Sequence, residues 1–144
     1  MLLSLIGYVH AMSLALWFCG LFGYVMIVWP SIFKVHAPAL PRDILVQIGT
    51  TTAPWIYLAM VCALGSFLLY WALSDDIPAT LGLIYLVVLL LLIANNLYGS
   101  FRAWPTIMMA PDQEARAAWK AFYIRMFVSM VVGLSALSVT IFVV

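Results

Sequence analysis

The sequence predicts an all-α integral membrane protein, a four-transmembrane-helix up-down bundle. Three observations carry that prediction. Hydrophobic residues fill 67% of the 144 positions and charged residues only 8%, with a mean hydropathy of +1.18. The stretches 1–33, 44–74, 77–101 and 126–144 contain no Lys, Arg, Asp or Glu. The 6 Lys and Arg residues all fall in or beside two of the three connections between these stretches. Soluble domains average about 25% charged residues. A soluble fold of this length leaves much of its surface in water and could not hide so much apolar area. A soluble enzyme and a disordered chain are therefore excluded. The net charge of +1 also excludes a nucleic-acid binder, which needs a basic excess for phosphates.

The elements follow in order within a single transmembrane domain, 1–144. The first span covers roughly 3–29. It lacks a basic n-region and its apolar run is too long for a removable signal peptide. The second covers roughly 53–74, where Thr50-Thr51-Thr52 ahead of Pro54 reads as polar caps and a first-turn proline. The third covers roughly 78–102, opened by Pro78 after Asp75-Asp76. The fourth covers roughly 121–144. Its helix opens earlier, at Pro111-Asp112-Gln113-Glu114, with acids at the positive end of the dipole. Residues of roughly 112–121 then form a cytoplasmic extension. Each stretch supplies the about 20 apolar residues that a crossing needs. Cys19 and Cys62 both lie mid-span, so no disulfide framework is implied.

Charge placement orients the chain. Lys34 and Arg42 lie between spans one and two; Arg102, Arg116, Lys120 and Arg125 lie between or beside spans three and four. The remaining connection holds only Asp75 and Asp76. The positive-inside rule then places both basic connections in the cytoplasm and both termini on the outer, periplasmic side of the inner (plasma) membrane. Trp29, Trp55, Trp104 and Trp119 would sit near the inner boundary and Trp71 near the outer one.

An internal repeat is visible. Trp29-Pro30-Ser31-Ile32-Phe33 and Trp104-Pro105-Thr106-Ile107-Met108 stand 75 residues apart, as do Gly7 and Gly82, and His10 and Tyr85. Tyr57-Leu58-Ala59-Met60 resembles Tyr123-Ile124-Arg125-Met126, and Gly65 matches Gly133 after a small shift in register. This reads as two parallel helical-hairpin repeats about an axis along the membrane normal, an architecture that places sites at the repeat interface. Chance is the alternative, because Trp at interfaces and Pro at helix ends are each favoured for general reasons.

Two groups of polar residues are candidate sites. His10, Trp17 and Tyr24 recur every seven residues on one face of span one, flanked by Gly7, Ser13 and Gly20, with Cys19 on the opposite side. His10 is the only histidine within a span, and an ionisable group at that depth is a functional hypothesis by default. Neutral imidazole ligates haem iron or copper. The structural alternative is a hydrogen bond to Tyr70, Tyr85 or Thr140. The other histidine, His36, follows span one, about 39 Å of helix away. A bis-histidine haem would therefore need a second protomer or a partner chain. In the inner half, Asn95, Tyr98 and Arg102 share one face of span three; Arg125, Ser129, Gly133, Ala136 and Thr140 share one face of span four. Arg102 and Arg125 suggest a site for a phospholipid headgroup, a porphyrin propionate or a substrate carboxylate. The alternative is snorkelling to lipid phosphates. Cysteine and methionine sulfur suits Cu(I), yet no tight Cys-x-x-Cys or Met-x-x-Met set is present, and both residue types are common packing residues. No hydrolase or nucleotide-binding motif occurs, and no span carries the carboxylate expected of a proton relay.

The run His10-x6-Trp17-Phe18-x-Gly20-Leu21-Phe22 resembles the first helix of the CopD-like copper-resistance membrane domain. It is also similar to the HemJ-type protoporphyrinogen oxidases. Pro30, the run Asn95 to Arg102 to Pro105, and Arg125 extend the resemblance. Met26 and Ser31 stand where the HemJ-type pattern has an arginine and a second histidine, so His10 alone carries over. The resemblance implies a CopD/HemJ-like protein binding or passing a metal or haem through an outer-half site. There His10 would ligate haem b or copper, Arg102 and Arg125 would hold an anionic group, and Tyr24, Tyr98 and Asn95 would orient it. The rival reading has no cofactor: a non-catalytic accessory subunit of a larger, respiratory-type membrane complex. A small transporter of neutral solutes is a third. The expected partners are the lipid bilayer and a second copy or a larger membrane complex.

Overall fold

A computed structural model describes residues 1–28, 30–31, 42–75 and 77–143. Trp29, Lys34, His36 and Asp76 lie outside the described residues, as does the side chain of Thr140. Helix α1, Leu2–Gly23, runs on through a π-helical turn, Tyr24–Val28. Helix α2 is Arg42–Leu73. Helix α3, Ala79–Tyr98, continues through a second π-helical turn, Gly99–Ala103, into the short α4, Trp104–Met109. Helix α5 is Asp112–Val143. The segments Leu2–Val28, Arg42–Leu73, Ala79–Met109 and Glu114–Ser138 are each long and apolar enough to cross a membrane. The chain is an all-α four-helix bundle and a multi-pass membrane protein.

Helix α1 is the centre of the bundle and packs along both α2 and α5, whereas α3 touches its neighbours far less. Leu14, Trp17, Phe18 and Leu21 of α1 are buried with Met60, Ala63 and Phe67 of α2 and Met126 and Met130 of α5. The outward face is just as apolar: Leu16 and Leu91 are among its exposed residues. Lipid gives no hydrophobic reward for helix pairing, so close approach through small residues does the work. Gly133 of α5 lies directly on the Phe18 ring, and Gly82 of α3 on the Trp71 indole; a Cβ at either position would overlap those rings.

A second cluster closes the end that carries the α1–α2 and α4–α5 connections. Leu45, Ile107, Ala115 and Trp119 are buried there, with Tyr24 and Trp104 against them. Beside it, Arg42 Nη2 donates to Asp112 Oδ1 at 2.9 Å and to the Ala110 carbonyl at 2.6 Å. The two side chains are 34% and 45% exposed, so water screens the pair. Arg42→Ala should lower stability by no more than about 1 kcal/mol, and by less at high salt. Thermal unfolding at two ionic strengths checks this.

The start of the second helix differs from the sequence expectation. It begins at Arg42 rather than at the Thr-Pro segment, and Pro54 lies inside it. The threonine hydroxyls turn back onto their own helix: Thr50 Oγ1 bonds the Val46 carbonyl at 2.9 Å and Thr52 Oγ1 the Ile48 carbonyl at 2.8 Å. Bonded that way they are not caps, and transmembrane helices tolerate interior proline. The first-turn acid is instead Asp43. At α3, Pro78 stands at the cap rather than in the first turn, and no side chain caps the helix. Pro111 immediately precedes α5 as expected, and the Ala115 amide bonds the Pro111 carbonyl at 2.8 Å.

Several features fit the two-hairpin reading. The π-helical turns Tyr24–Val28 and Gly99–Ala103 occupy matching places in the two halves. Helices α2 and α5 are each 32 residues long. His10 and Tyr85, 75 residues apart, are hydrogen-bonded to each other. Equivalent residues of a two-fold can meet only on its axis. The likeness is imperfect, because α1 is gripped between α2 and α5 while α3 stands off from α2.

Candidate functional site

His10 sits where α1, α2 and α3 converge, and only 3% of it is exposed. Its Nδ1 lies 2.8 Å from the Ala63 carbonyl and 3.3 Å from Ser66 Oγ. Its Nε2 lies 2.8 Å from the Tyr85 hydroxyl. A carbonyl can only accept, so Nδ1 carries the hydrogen, and in the neutral ring Nε2 accepts from Tyr85. One tautomer thus satisfies both nitrogens. Ser66 in turn donates to the Cys62 carbonyl at 2.5 Å. The Phe67 ring stands 5.8 Å from the imidazole and 4.7 Å from the Tyr85 ring. Of the offered partners whose side chains are described, Tyr70 and Tyr85, Tyr85 is the one in hydrogen-bond contact.

A metal or haem iron at His10 would need a free ring nitrogen, and here neither is free. Ala63, Ser66, Phe67 and Tyr85 supply no imidazole, thiolate or carboxylate as a second ligand. Among the described residues no group of three His, Cys, Asp or Glu side chains is placed to hold a metal ion. As arranged, this environment does not fit haem or copper; it fits a three-helix tie.

The remaining candidates fall in two other places. Asn95 Nδ2 donates to Ser129 Oγ at 2.5 Å, joining α3 to α5. On the same seam the Arg125 guanidinium lies 4.3 Å from the centre of the Tyr98 ring, a cation–π contact. Arg102 is exposed, and its guanidinium does not join that seam. The two arginines therefore do not form a shared pocket. Tyr24 lies apart from both, its ring 6.2 Å from those of Trp104 and Trp119. Its hydroxyl is buried with no hydrogen-bond partner. Cys19 is exposed, on the side away from the stripe as expected, and both cysteines are free thiols.

Tyr24 is part of the wall of a cavity of about 240 Å³. The cavity lies between α2 and α3, floored by α1 and α5. Thr52 and Tyr57 of α2, Asn96 of α3, Trp104 of α4 and Phe122 of α5 line it, and among the described residues no charged side chain does. Gly49 lets the Trp104 indole come close: a Cβ there would lie 3.2 Å from the ring. The π-helical turn between Asn96 and Trp104 is the kind of local widening often found at functional sites. Asn96 is only 6% exposed, and its carboxamide makes no hydrogen bond among the described residues. The sequence reading took Asn95 and passed over Asn96. Adjacent helical residues point about 100° apart, so one serves the α5 seam and the other the cavity. The available signal was a second carboxamide inside a charge-free run.

No protein-family model, curated protein or solved structure matches the chain.

Proposed function

We propose that the chain is a non-catalytic, membrane-embedded binding subunit that holds a small, uncharged hydrophobic molecule in the cleft between α2 and α3. The observation that carries this reading is the coincidence of a cavity of about 240 Å³ with a buried carboxamide, Asn96, that has no hydrogen-bond partner among the described residues. Three polar side chains elsewhere in the bundle are already engaged: His10 by Ala63 and Tyr85, Asn95 by Ser129, Arg125 by Tyr98. The six-to-none charge split puts the cleft in the cytoplasmic half of the inner membrane, with both termini outside. The scarcity of charged groups within the spans suits an accessory role beside a larger membrane complex. The CopD/HemJ-like resemblance offers the alternative, metal or haem handling through His10, and that alternative requires Tyr85 to release Nε2.

Solvent extraction of protein purified in mild detergent tests the reading. A small hydrophobic molecule should be recovered in near-equimolar amount from the native chain. It should be lost from Ala53→Leu, which adds bulk to the cavity wall. Equal recovery from both proteins, or recovery of lipid alone, would overturn it. A metal or haem in the native protein that Ala53→Leu retains and His10→Ala loses would install the alternative.

A further inference from the structure

We infer that the occupant of this cleft is the head group of a lipid-soluble quinone or quinol, an inference that rests on the binding reading above. Four properties of the cleft select that chemistry. The first is size. Pockets for drug-sized ligands run to about 300–1,000 Å³, and 240 Å³ suits one substituted ring with its tail left outside. The second is shape. Tyr24, Tyr57, Trp104 and Phe122 give aromatic walls, which favour stacked or edge-on contact with another flat ring.

The third is charge. Among the described residues no Lys, Arg, Asp or Glu lines the cleft. A phosphate or carboxylate head group would stay uncompensated at this depth, at a steep desolvation cost, so a phospholipid or fatty acid is a poor occupant. The fourth is hydrogen bonding. The Asn96 carboxamide both donates and accepts, and so serves a quinone carbonyl and a quinol hydroxyl equally well. The Tyr24 hydroxyl is enclosed within the wall, so Tyr24 offers its ring and Asn96 the hydrogen bond. Thr50 and Thr52 have no donor to offer a quinone carbonyl, since their hydroxyl hydrogens are committed to their own helix. Access is lateral. Helices α2 and α3 barely touch, and the Tyr57 and Phe101 rings, stacked at 6.3 Å, bridge from α2 to the π-helical turn beyond α3. A tail leaving the cleft along this gap enters lipid.

The test is a titration of the full chain, in phosphatidylcholine nanodiscs, with decylubiquinone, read by quenching of tryptophan fluorescence. Trp104 stands in the cavity wall as the reporter. Saturable quenching is expected. Asn96→Leu should weaken it about fivefold, the worth of one neutral hydrogen bond, and Tyr24→Phe, which loses only a hydroxyl enclosed in the wall, should not. Ser135→Ala, on the exposed face of α5, should leave it unchanged. Decylbenzene, which has the tail and a ring but no oxygen, should not compete. If decylbenzene competes equally and Asn96→Leu does not weaken the quinone, the quinone assignment falls while the binding-subunit reading stands. If neither probe binds saturably, both fall. Should Asn96→Leu fail to fold, Asn96→Ala, which removes the carboxamide without adding bulk, decides the matter.

Discussion

His10→Ala is expected to destabilise the bundle by about 3 kcal/mol, with Tyr85→Phe costing about 1 kcal/mol. Hydrogen bonds between helices in membranes average about 0.6 kcal/mol and reach about 1.7, and His10 makes two good ones, to Ala63 and Tyr85. Truncation also empties the space of a ring that is 3% exposed and packed on Phe67 and Tyr85. Cavity formation on that scale adds a further loss of about 2 kcal/mol. Tyr85→Phe removes one bond and keeps the ring, hence the smaller figure. Unfolding by titration with a denaturing detergent measures both. The alternative role for His10 gives a different pattern. If His10 ligates haem, the native protein shows a Soret band, His10→Ala abolishes it, and Tyr85→Phe strengthens it by freeing Nε2. A native protein with no visible band and the ranked stability losses above would establish His10 as a tie.

The fold was legible because hydrophobicity and charge act over whole segments. Four charge-free stretches leave one arrangement per crossing, and the structure has four helices long and apolar enough to cross. The inward face of α1 was legible too, because His10 and Trp17 recur at helical spacing and both are buried. Helix starts were less so. Thr50 and Thr52 are good cap residues, but they are equally able to bond the preceding turn, and only the surrounding helix decides. The site was legible only in part. Sequence spacing on one helix cannot tell which neighbour lies opposite. Asn95, Tyr98 and Arg102 share a face, yet Asn95 and Tyr98 reach α5 while Arg102 stands exposed. The cleft at Asn96 depends on how far α3 stands from α2, a relation between helices that no single-helix pattern encodes.

That asymmetry predicts opposite outcomes for two glycines that occupy matching places in the repeat. Gly133→Ala should destabilise by about 2 kcal/mol, within the usual range for overpacking. A Cβ at 133 would overlap Cε1 and Cζ of Phe18. Phe18 has little room to yield, since it is 1% exposed and stacked on Trp17 with centroids 5.0 Å apart. Relief would have to come from α5 backing away from α1, which loosens Met126 and Met130 as well. Gly65→Ala meets nothing within 4 Å. It should leave stability unchanged or raise it by up to about 1 kcal/mol, the helix-propensity gain over glycine. Phe18→Leu added to Gly133→Ala should recover part of the loss, because a smaller side chain vacates the overlapped volume. Unfolding midpoints of the three variants decide the point. Equal effects at 65 and 133 would mean that the two hairpins pack alike. Helix α3 would then close on α2 as α1 closes on α5, and the cleft beside Asn96 would have no room to hold a ligand.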